Sequence, residues 1–441
     1  MSAPQKQRWL ILAHAFNMDG RAASQTITDK IPHLMAAGIE PVVLSGALGD
    51  HDTHIEHHQI WPWGPAGIRF ELRHVLRARL GGGWIYRLCM VIASLLLLPE
   101  MLIEKLMFPL ESSWSWRFAA RAKARALLRQ RTFDVIYSTG GAYAAHLAAA
   151  DLKREFGLPW IAEVHDPLVM PGQTPHSAHE RMKREVERQI CTHADVAVWF
   201  TDQALASARQ RNPQLGERGK VILPGIDNPF PDGLPPYVPG PKLVMGHFGS
   251  LSKTRSLVSV VAALEWLAEH KPQVLQDIEL QVTGGPLDEL TQARLENSPV
   301  RDRVKHLGRI ETDPITGLSG RVQILQRMRA ADVLLLIHGQ EPICAEYIPS
   351  KLYEYLWMQR PILAQVHCNA QMVGILRSMS HVVIETLVDA DASKVEDWAR
   401  SMVELHAQWK RGELTDNGQQ SPHCTSNAVA KLVEWIQAKV K

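Results

Sequence analysis

The 441-residue chain is longer than one compact core organises, and its net charge of only +2 excludes an electrostatic case for nucleic acid as the main partner. Its five cysteines are odd in number and scattered, with no CxxC pair, which argues against a disulfide framework or a zinc site and suits a reducing compartment. An apolar fraction of 46% and a charged fraction of 21% exclude bulk disorder.

Near the N-terminus, RWLILAHAF has neither the long apolar core nor the cleavage site of a signal peptide, and reads as the first strand of a mature chain. Its exit loop, 13–21, carries a single glycine, Gly20. Residues 27–37 show apolar positions near a 3.6 period and are expected as one helix, followed by the strand EPVVLSG. His51, His54, His57 and His58 in HDTHIEHH lack the spacing of a zinc helix or finger, so this segment reads as a polar loop entering a strand, with no metal. The longest apolar stretch, LCMVIASLLLLP, lies in the insert 84–110; its uninterrupted part is about half of what a membrane-spanning helix needs, so a span is not expected. Two readings stand: a buried helix or helical hairpin, or an interfacial segment lying on the inner membrane. Arg73, Arg77, Arg79 and Arg87, with Trp84 and Tyr86, favour the second. Further on, FDVIYSTG, PWIAEVHD, ADVAVWFT and KVILPGI read as strands, the first two flanking the helix AYAAHLAAADLKREFG.

The prolines of NPFPDGLPPYVPGPK, 228–242, sustain neither helix nor central strand and read as an interdomain linker. A second α/β series follows: the strand KLVMGHFGSL, a helix over 256–270, the strands DIELQVTGG and VKHLGRI, a helix through RVQILQRMRAA, the strand DVLLLIH, the helix SKLYEYLWMQ and the strand PILAQV. Asp389 and Asp391 form a DxD that reads as a cap on the following helical pattern rather than a metal site. The expected organisation is an N-terminal domain 1–227, the linker, a C-terminal domain 243–410, and a tail 411–441 of polar loop and amphipathic helix, with packing back on the first domain as one option. Alternating strands and helices in both halves predict doubly wound parallel sheets, with ligands bound beyond the carboxyl ends of the strands in a cleft that the two domains face.

The chemistry concentrates in EPICAEYIPSKLYEYLWMQRPILA, where seven residues separate Glu346 from Glu354. Pro349 suits the first position of a helix, and the N–H groups of Ser350 and Lys351 in its first turn form an anion site. Glu354, just over one turn in, is placed to accept hydrogen bonds from a ribose diol, and Glu346 from sugar hydroxyls. Upstream, the strand MGHFGS turns through Gly249 and Ser250 into a segment with Lys253 and Arg255 at an expected helix start, where cations suit a departing diphosphate.

On these residues the chain resembles the retaining glycosyltransferases of the family 4 class, which have the GT-B fold. Members carry a Glu-x7-Glu motif, written in one subgroup as Pro-Ser-Lys-Leu-Phe-Glu-Tyr-Leu followed by Pro-Ile-Leu-Ala. The match here is Pro349 to Leu356 and Pro361 to Ala364, with Ile348-Pro349 replacing the frequent Phe-Gly. Asp134-Val135-Ile136, His146 and Pro159-Trp160-Ile161-Ala162 match a second block in the N-terminal half, which then departs at Glu163 to Leu168. The resemblance implies a GT-B fold with two Rossmann-like domains. It implies Glu346 beside the donor sugar, Glu354 on the ribose, and Gly249, Ser250, Ser350 and Lys351 around the diphosphate. Arg255 or Lys253 would stabilise the leaving group, with Gly308 in the loop by the base. His165 would face the sugar and the acceptor, with Asp166 and Gly20 on the acceptor side. The implied activity is transfer of a sugar, with retained configuration, from a nucleoside-diphosphate donor (a UDP-sugar favoured, GDP- or dTDP-sugars as alternatives). The implied acceptor is a glycan or lipid-linked hydroxyl in surface polysaccharide assembly, and no cofactor is required. The expected location is cytoplasmic, with a peripheral position on the inner face of the plasma membrane as one option. A nucleotide-sugar epimerase of the same fold and an inactive binding partner of another transferase are the alternatives.

Overall fold

The computed structural model describes residues 7–18, 21–172, 174–313, 315–387, 394–416 and 418–440. Gly20, Asp389 and Asp391 lie outside them. The chain divides into two compact units, one running to Pro224 and resuming at Thr425, the other spanning Gly225–Cys424.

The first unit holds a seven-stranded sheet of β1 (Gln7–Leu12), β2 (Ile39–Ser45), β3 (Glu56–Gln59), β4 (Val135–Gly140), β5 (Trp160–Val164), β6 (Val196–Trp199) and β7 (Gly219–Val221). Their spatial order is β3-β2-β1-β4-β5-β6-β7, every pair parallel. The order reverses between β1 and β4. In β1, Trp9 and Ile11 enter one core while Leu10 and Leu12 enter another on the opposite face, as the period-2 geometry of a doubly covered strand requires. The last helix, Thr425–Val440, supplies Ala428, Val429, Leu432 and Ile436 to the first of these cores.

The second unit holds six parallel strands: β8 (Leu243–Gly249), β9 (Ile278–Gly284), β10 (Val304–Gly308), β11 (Val333–Ile337), β12 (Ile362–His367) and β13 (Val382–Thr386). Their order is β10-β9-β8-β11-β12-β13, reversing between β8 and β11. The proline-rich residues 228–242 pack against this unit: the Arg360 guanidinium lies 3.4 Å from the Tyr237 ring centre, and Arg329 donates to the Pro235 carbonyl (2.8 Å).

Two readings of the first half need correction. Residues 27–37 are not one helix but two short ones, Ala22–Thr28 and Ile31–Ala36, broken at a point where Lys30 turns into the core and is fully buried. The insert is neither a hairpin within itself nor buried. It is one helix, Trp84–Met107, running through Pro99, mostly exposed with one half-buried face packed on the helix Pro65–Leu80. Its 24 residues, which include an 18-residue stretch with a mean hydropathy of 1.8, are long and apolar enough to cross a membrane by length and composition. Stopping the count at Pro99 halved a helix that bridges the proline.

Candidate functional site

Ligands of doubly wound sheets sit where the strand order reverses, because the loops leaving the two central strands diverge there. In the second unit that point lies between β8 and β11. The strands pair only from Met245 to His247 against Val333 to Leu335. Beyond that, the Tyr355 hydroxyl accepts the Phe248 N–H (3.1 Å) and donates to the Leu335 carbonyl (3.3 Å). One phenol thus satisfies both strands where they part, and it pins the helix Ser350–Trp357 to the switch point.

That helix starts one residue later than the sequence suggested. Pro349 has ψ of 133° and is the cap, so Ser350 is the first helical residue. No side chain caps the start, and only the Leu352 N–H turns back to the Pro349 carbonyl (2.9 Å). Among the described residues no acceptor meets the N–H groups of Ser350 and Lys351, which face outward at the positive end of the helix. Glu354 is buried, and its Oε2 accepts from Lys351 Nζ (2.6 Å). Glu346 closes the 3-10 turn Pro342–Glu346 and is only 2% exposed.

The basic turn differs from the expectation as well. Lys253 and Arg255 are not at a helix start, since the helix is Val258–His270. They belong to a tight turn closed by reciprocal backbone bonds between Ser252 and Arg255 (3.0 Å each). The helix start itself is satisfied by protein: Ser256 Oγ accepts from Val258 N–H (3.1 Å) and Thr291 Oγ1 from Leu257 N–H (3.1 Å). Arg255 instead reaches the hydroxyl of Tyr347, the residue after Glu346, while Lys253 is exposed. Burial pushes the Tyr347 hydroxyl up to about 12, so it remains a neutral acceptor for the guanidinium. Gly249 and Gly284 end the paired strands β8 and β9 with φ of 141° and 149°. A Cβ on Gly284 would run into the Gly249 carbonyl oxygen, so both positions need glycine.

The structure thus brings Gly249, Ser250, Arg255, Glu346, Ser350, Lys351 and Glu354 to the loops of one switch point. Gly308 lies apart at the end of edge strand β10. There its φ of 71° follows a register shift, and His306 Nε2 contacts the Gly285 carbonyl oxygen at 2.8 Å.

Asn369 was not legible as a site residue. Its side-chain amide is shared among the carbonyls of Cys344 (3.2 Å), Ala345 (3.3 Å) and Tyr347 (3.0 Å), while its Oδ1 caps the helix Ala370–Ser378 at Met372 N–H (2.9 Å). The Glu346 turn therefore hangs from one buried asparagine at the end of β12. An Asn following a strand and preceding a helical pattern signals a cap; nothing local signals its second task.

In the first unit His165 leaves β5 and is 7% exposed. Its Nε2 lies 3.0 Å from Glu163 Oε1 and 2.8 Å from Thr139 Oγ1, and its ring stacks on Phe200 (4.8 Å). The fully buried Glu163 also accepts from Lys30 Nζ (2.5 Å) and Thr139 Oγ1 (2.9 Å). Burial opposes ionisation of Glu163, but Lys30 and His165 outweigh it and hold the carboxyl well below its usual range. An ionised Glu163 only accepts, so the ring donates from Nε2 and, when neutral, keeps its lone pair on Nδ1. Asp166 is exposed, near the Gly140-Gly141 turn that ends β4. Neither Lys30 nor Glu163 stood out in the sequence. His146 is a packed histidine, with Nδ1 2.9 Å from Ser138 Oγ and Nε2 3.2 Å from the Gly140 carbonyl oxygen. His57 is likewise structural, between Ser45 Oγ (2.8 Å) and the Asp52 N–H (3.0 Å).

Residues 101–228 match Glycosyltransferase Family 4, a stretch that covers the later part of the first unit and stops well before Glu346. No curated protein sequence matches the chain. Among solved structures, the chain is similar over 96% of its length to 99% of WaaG, a glycosyltransferase involved in lipopolysaccharide biosynthesis (TM-score 0.58, 13% identity). It is similar over 99% of its length to 99% of TarM (TM-score 0.60, 8% identity). An α,α-trehalose-phosphate synthase (UDP-forming) from Burkholderia vietnamiensis is matched over 99% of this chain and 98% of that one (TM-score 0.59, 11% identity). With two parallel sheets, each doubly wound, the chain has the GT-B glycosyltransferase fold.

Proposed function

We propose that this protein transfers a sugar from a nucleoside-diphosphate donor to a hydroxyl acceptor. The observation that carries the reading is the β8/β11 switch point, where an uncapped helix start, Arg255 and two buried carboxylates share one set of loops. The Ser350 and Lys351 N–H groups, with Arg255 and Lys253, are assigned to the diphosphate. Glu354 is assigned to the ribose, Glu346 to the donor sugar, and Gly308 to the loop by the base. In the first unit, His165 is assigned to the sugar and acceptor hydroxyl, with Asp166 and Gly20 on the acceptor side. The bond from C1 of the sugar to the diphosphate breaks, a bond from C1 to the acceptor oxygen forms, and the acceptor proton leaves with the diphosphate. The cations and the helix start stabilise charge that grows on the leaving group, which is where electrostatic catalysis counts most. Retention of configuration, a UDP-sugar donor and a glycan or lipid-linked acceptor rest on the family resemblance and complete the proposal. The family match in the first unit supports its coarser part.

The test is nucleotide release from a panel of UDP-, GDP- and dTDP-sugars with hydroxyl acceptors. Release with one donor class is expected, and Glu354→Ala should lower kcat/KM by roughly 10–150-fold, the equivalent of about 1.5–3 kcal/mol for a hydrogen bond to a charged group. Binding without release from any donor, or an unchanged Glu354→Ala enzyme, overturns the proposal. An epimerised donor without nucleotide release would assign the site to an epimerase.

A further inference from the structure

We infer that the helical pair Pro65–Leu80 and Trp84–Met107 is a docking surface for an anionic lipid bilayer, and that the longer helix lies in the plane of the membrane surface rather than across it. This rests on the first unit alone and is independent of the proposed reaction.

The longer helix spans about 36 Å at 1.5 Å per residue. Its apolar side chains are turned outward: Leu95 is 65% exposed, Leu96 71%, Leu102 60% and Leu106 86%. Such a row in water marks an interaction site. Its length and hydropathy are those of a span, but its attachments forbid one. Glu104, in the last turn, is buried and accepts the Ala66 N–H at the start of the shorter helix (2.8 Å) and the Trp114 Nε1–H (2.5 Å). Ser94, near mid-helix, accepts from Arg69 Nε (2.8 Å). At the root of the pair, Gly64 N–H donates to Ser115 Oγ (2.8 Å) and Trp116 Nε1–H to the Ile60 carbonyl (3.1 Å). Carrying the Met107 end to the far side of a bilayer would tear it from the sheet to which residues 60 and 116 are fastened.

Insertion of the pair tip-first fails for a different reason. The glycine tip, 81–83, is bracketed by exposed Arg77, Arg79 and Arg87, which would be driven into hydrocarbon. In a flat orientation the same arginines lie at headgroup level. Over residues 65–107 the exposed charges are Arg73, Arg77, Arg79, Arg87 and Lys105 against Glu100 alone, because Glu71 and Glu104 are buried. That excess selects an anionic surface and disfavours a second copy carrying the same charge. Exposed Trp84 extends the apolar row with a ring suited to the membrane interface.

Flotation of the full chain with vesicles tests this. Binding to phosphatidylcholine vesicles containing about one third phosphatidylglycerol is expected to exceed binding to pure phosphatidylcholine at least tenfold, and to weaken at high salt. Replacing Leu95, Leu96 and Leu102 by Ser should abolish it, and Arg73→Gln with Arg77→Gln and Arg79→Gln should remove the preference for the anionic lipid. All these side chains are exposed, so unchanged circular dichroism and urea midpoints certify the fold. Dye labels on Leu95→Cys and Leu106→Cys, in a Cys89→Ser background, should be quenched equally by lipids brominated near the headgroup. No vesicle binding by the native chain, or a stable oligomer that the Leu variant dissolves, overturns the proposal. A steep depth difference between the two labels overturns the in-plane orientation.

Discussion

At the ends of β4 and β5 in the first sheet, polar side chains bond one another: Lys30, Glu163, Thr139 and His165 form one buried network. At the β8/β11 point of the second sheet, the helix Ser350–Trp357 begins without a side-chain cap. The first arrangement is built from the chain's own side chains and holds one imidazole through its Nε2. The second leaves backbone N–H groups whose natural complement is an anion. The difference separates a preset side chain from a site that gains stability by binding.

The broadest way to break this comparison is acid. His57 and His146 in the first unit, and His247, His338 and His381 in the second, are all held down to about 4 by burial. In the unfolded chain these rings titrate near 6.5, so the unfolded state binds more protons between pH 4 and 6.5. Stability is therefore full above about pH 6.5 and falls as pH drops towards 4, by up to about 3 kcal/mol for each ring. Urea unfolding at pH 7.5 and 4.5, with hydrogen exchange resolved by segment, should show both units weakening. Loss in one unit only would mean that the buried rings do not act alike.

A narrower test separates the units. Glu163→Ala leaves Lys30 buried without its carboxylate and should cost about 3–5 kcal/mol, with exchange protection lost in the first unit and kept in the second. The pair Lys30→Met with Glu163→Leu should recover most of that loss, since apolar residues can replace a buried ion pair. If the single variant is as stable as the native chain, the network does not hold the strand ends.

The smallest expected effect sharpens the second region. Asn369→Ala leaves carbonyls of the Glu346 turn without their donor, costing about 1–3 kcal/mol. If the turn positions Glu346, kcat should fall with little change in the KM for the nucleotide sugar. A KM effect alone would make Asn369 a brace for the binding loops instead.

Much of the second region was readable in advance because its signals are local. Proline before an amphipathic helix, glycines at strand ends and two glutamates at fixed spacing are all written within short stretches. The same locality explains the one-residue slip at Pro349, since a proline suits either side of a helix start. The first region was legible only in part. His165 follows a recognisable strand, but Lys30 lies 133 residues from Glu163 and enters the core through a break in what the periodicity presented as one helix. Asn369 reads locally as a cap, and its grip on Cys344 to Tyr347 appears only when β11 and β12 are set side by side. The Trp84–Met107 helix was misjudged because proline usually interrupts helices, whereas Pro99 sits within this one.

The last helix has a consequence for how the chain is made. Thr425–Val440 fills a core that otherwise consists of residues before Pro224. During synthesis that core waits open while the whole of Gly225–Cys424 is produced, on the order of 10–40 s at roughly 5–20 residues per second. Through that interval the helix Ile31–Ala36, with Ile31 and Leu34 in that core, lacks its final cover. The first unit to be made is thus completed only after the second.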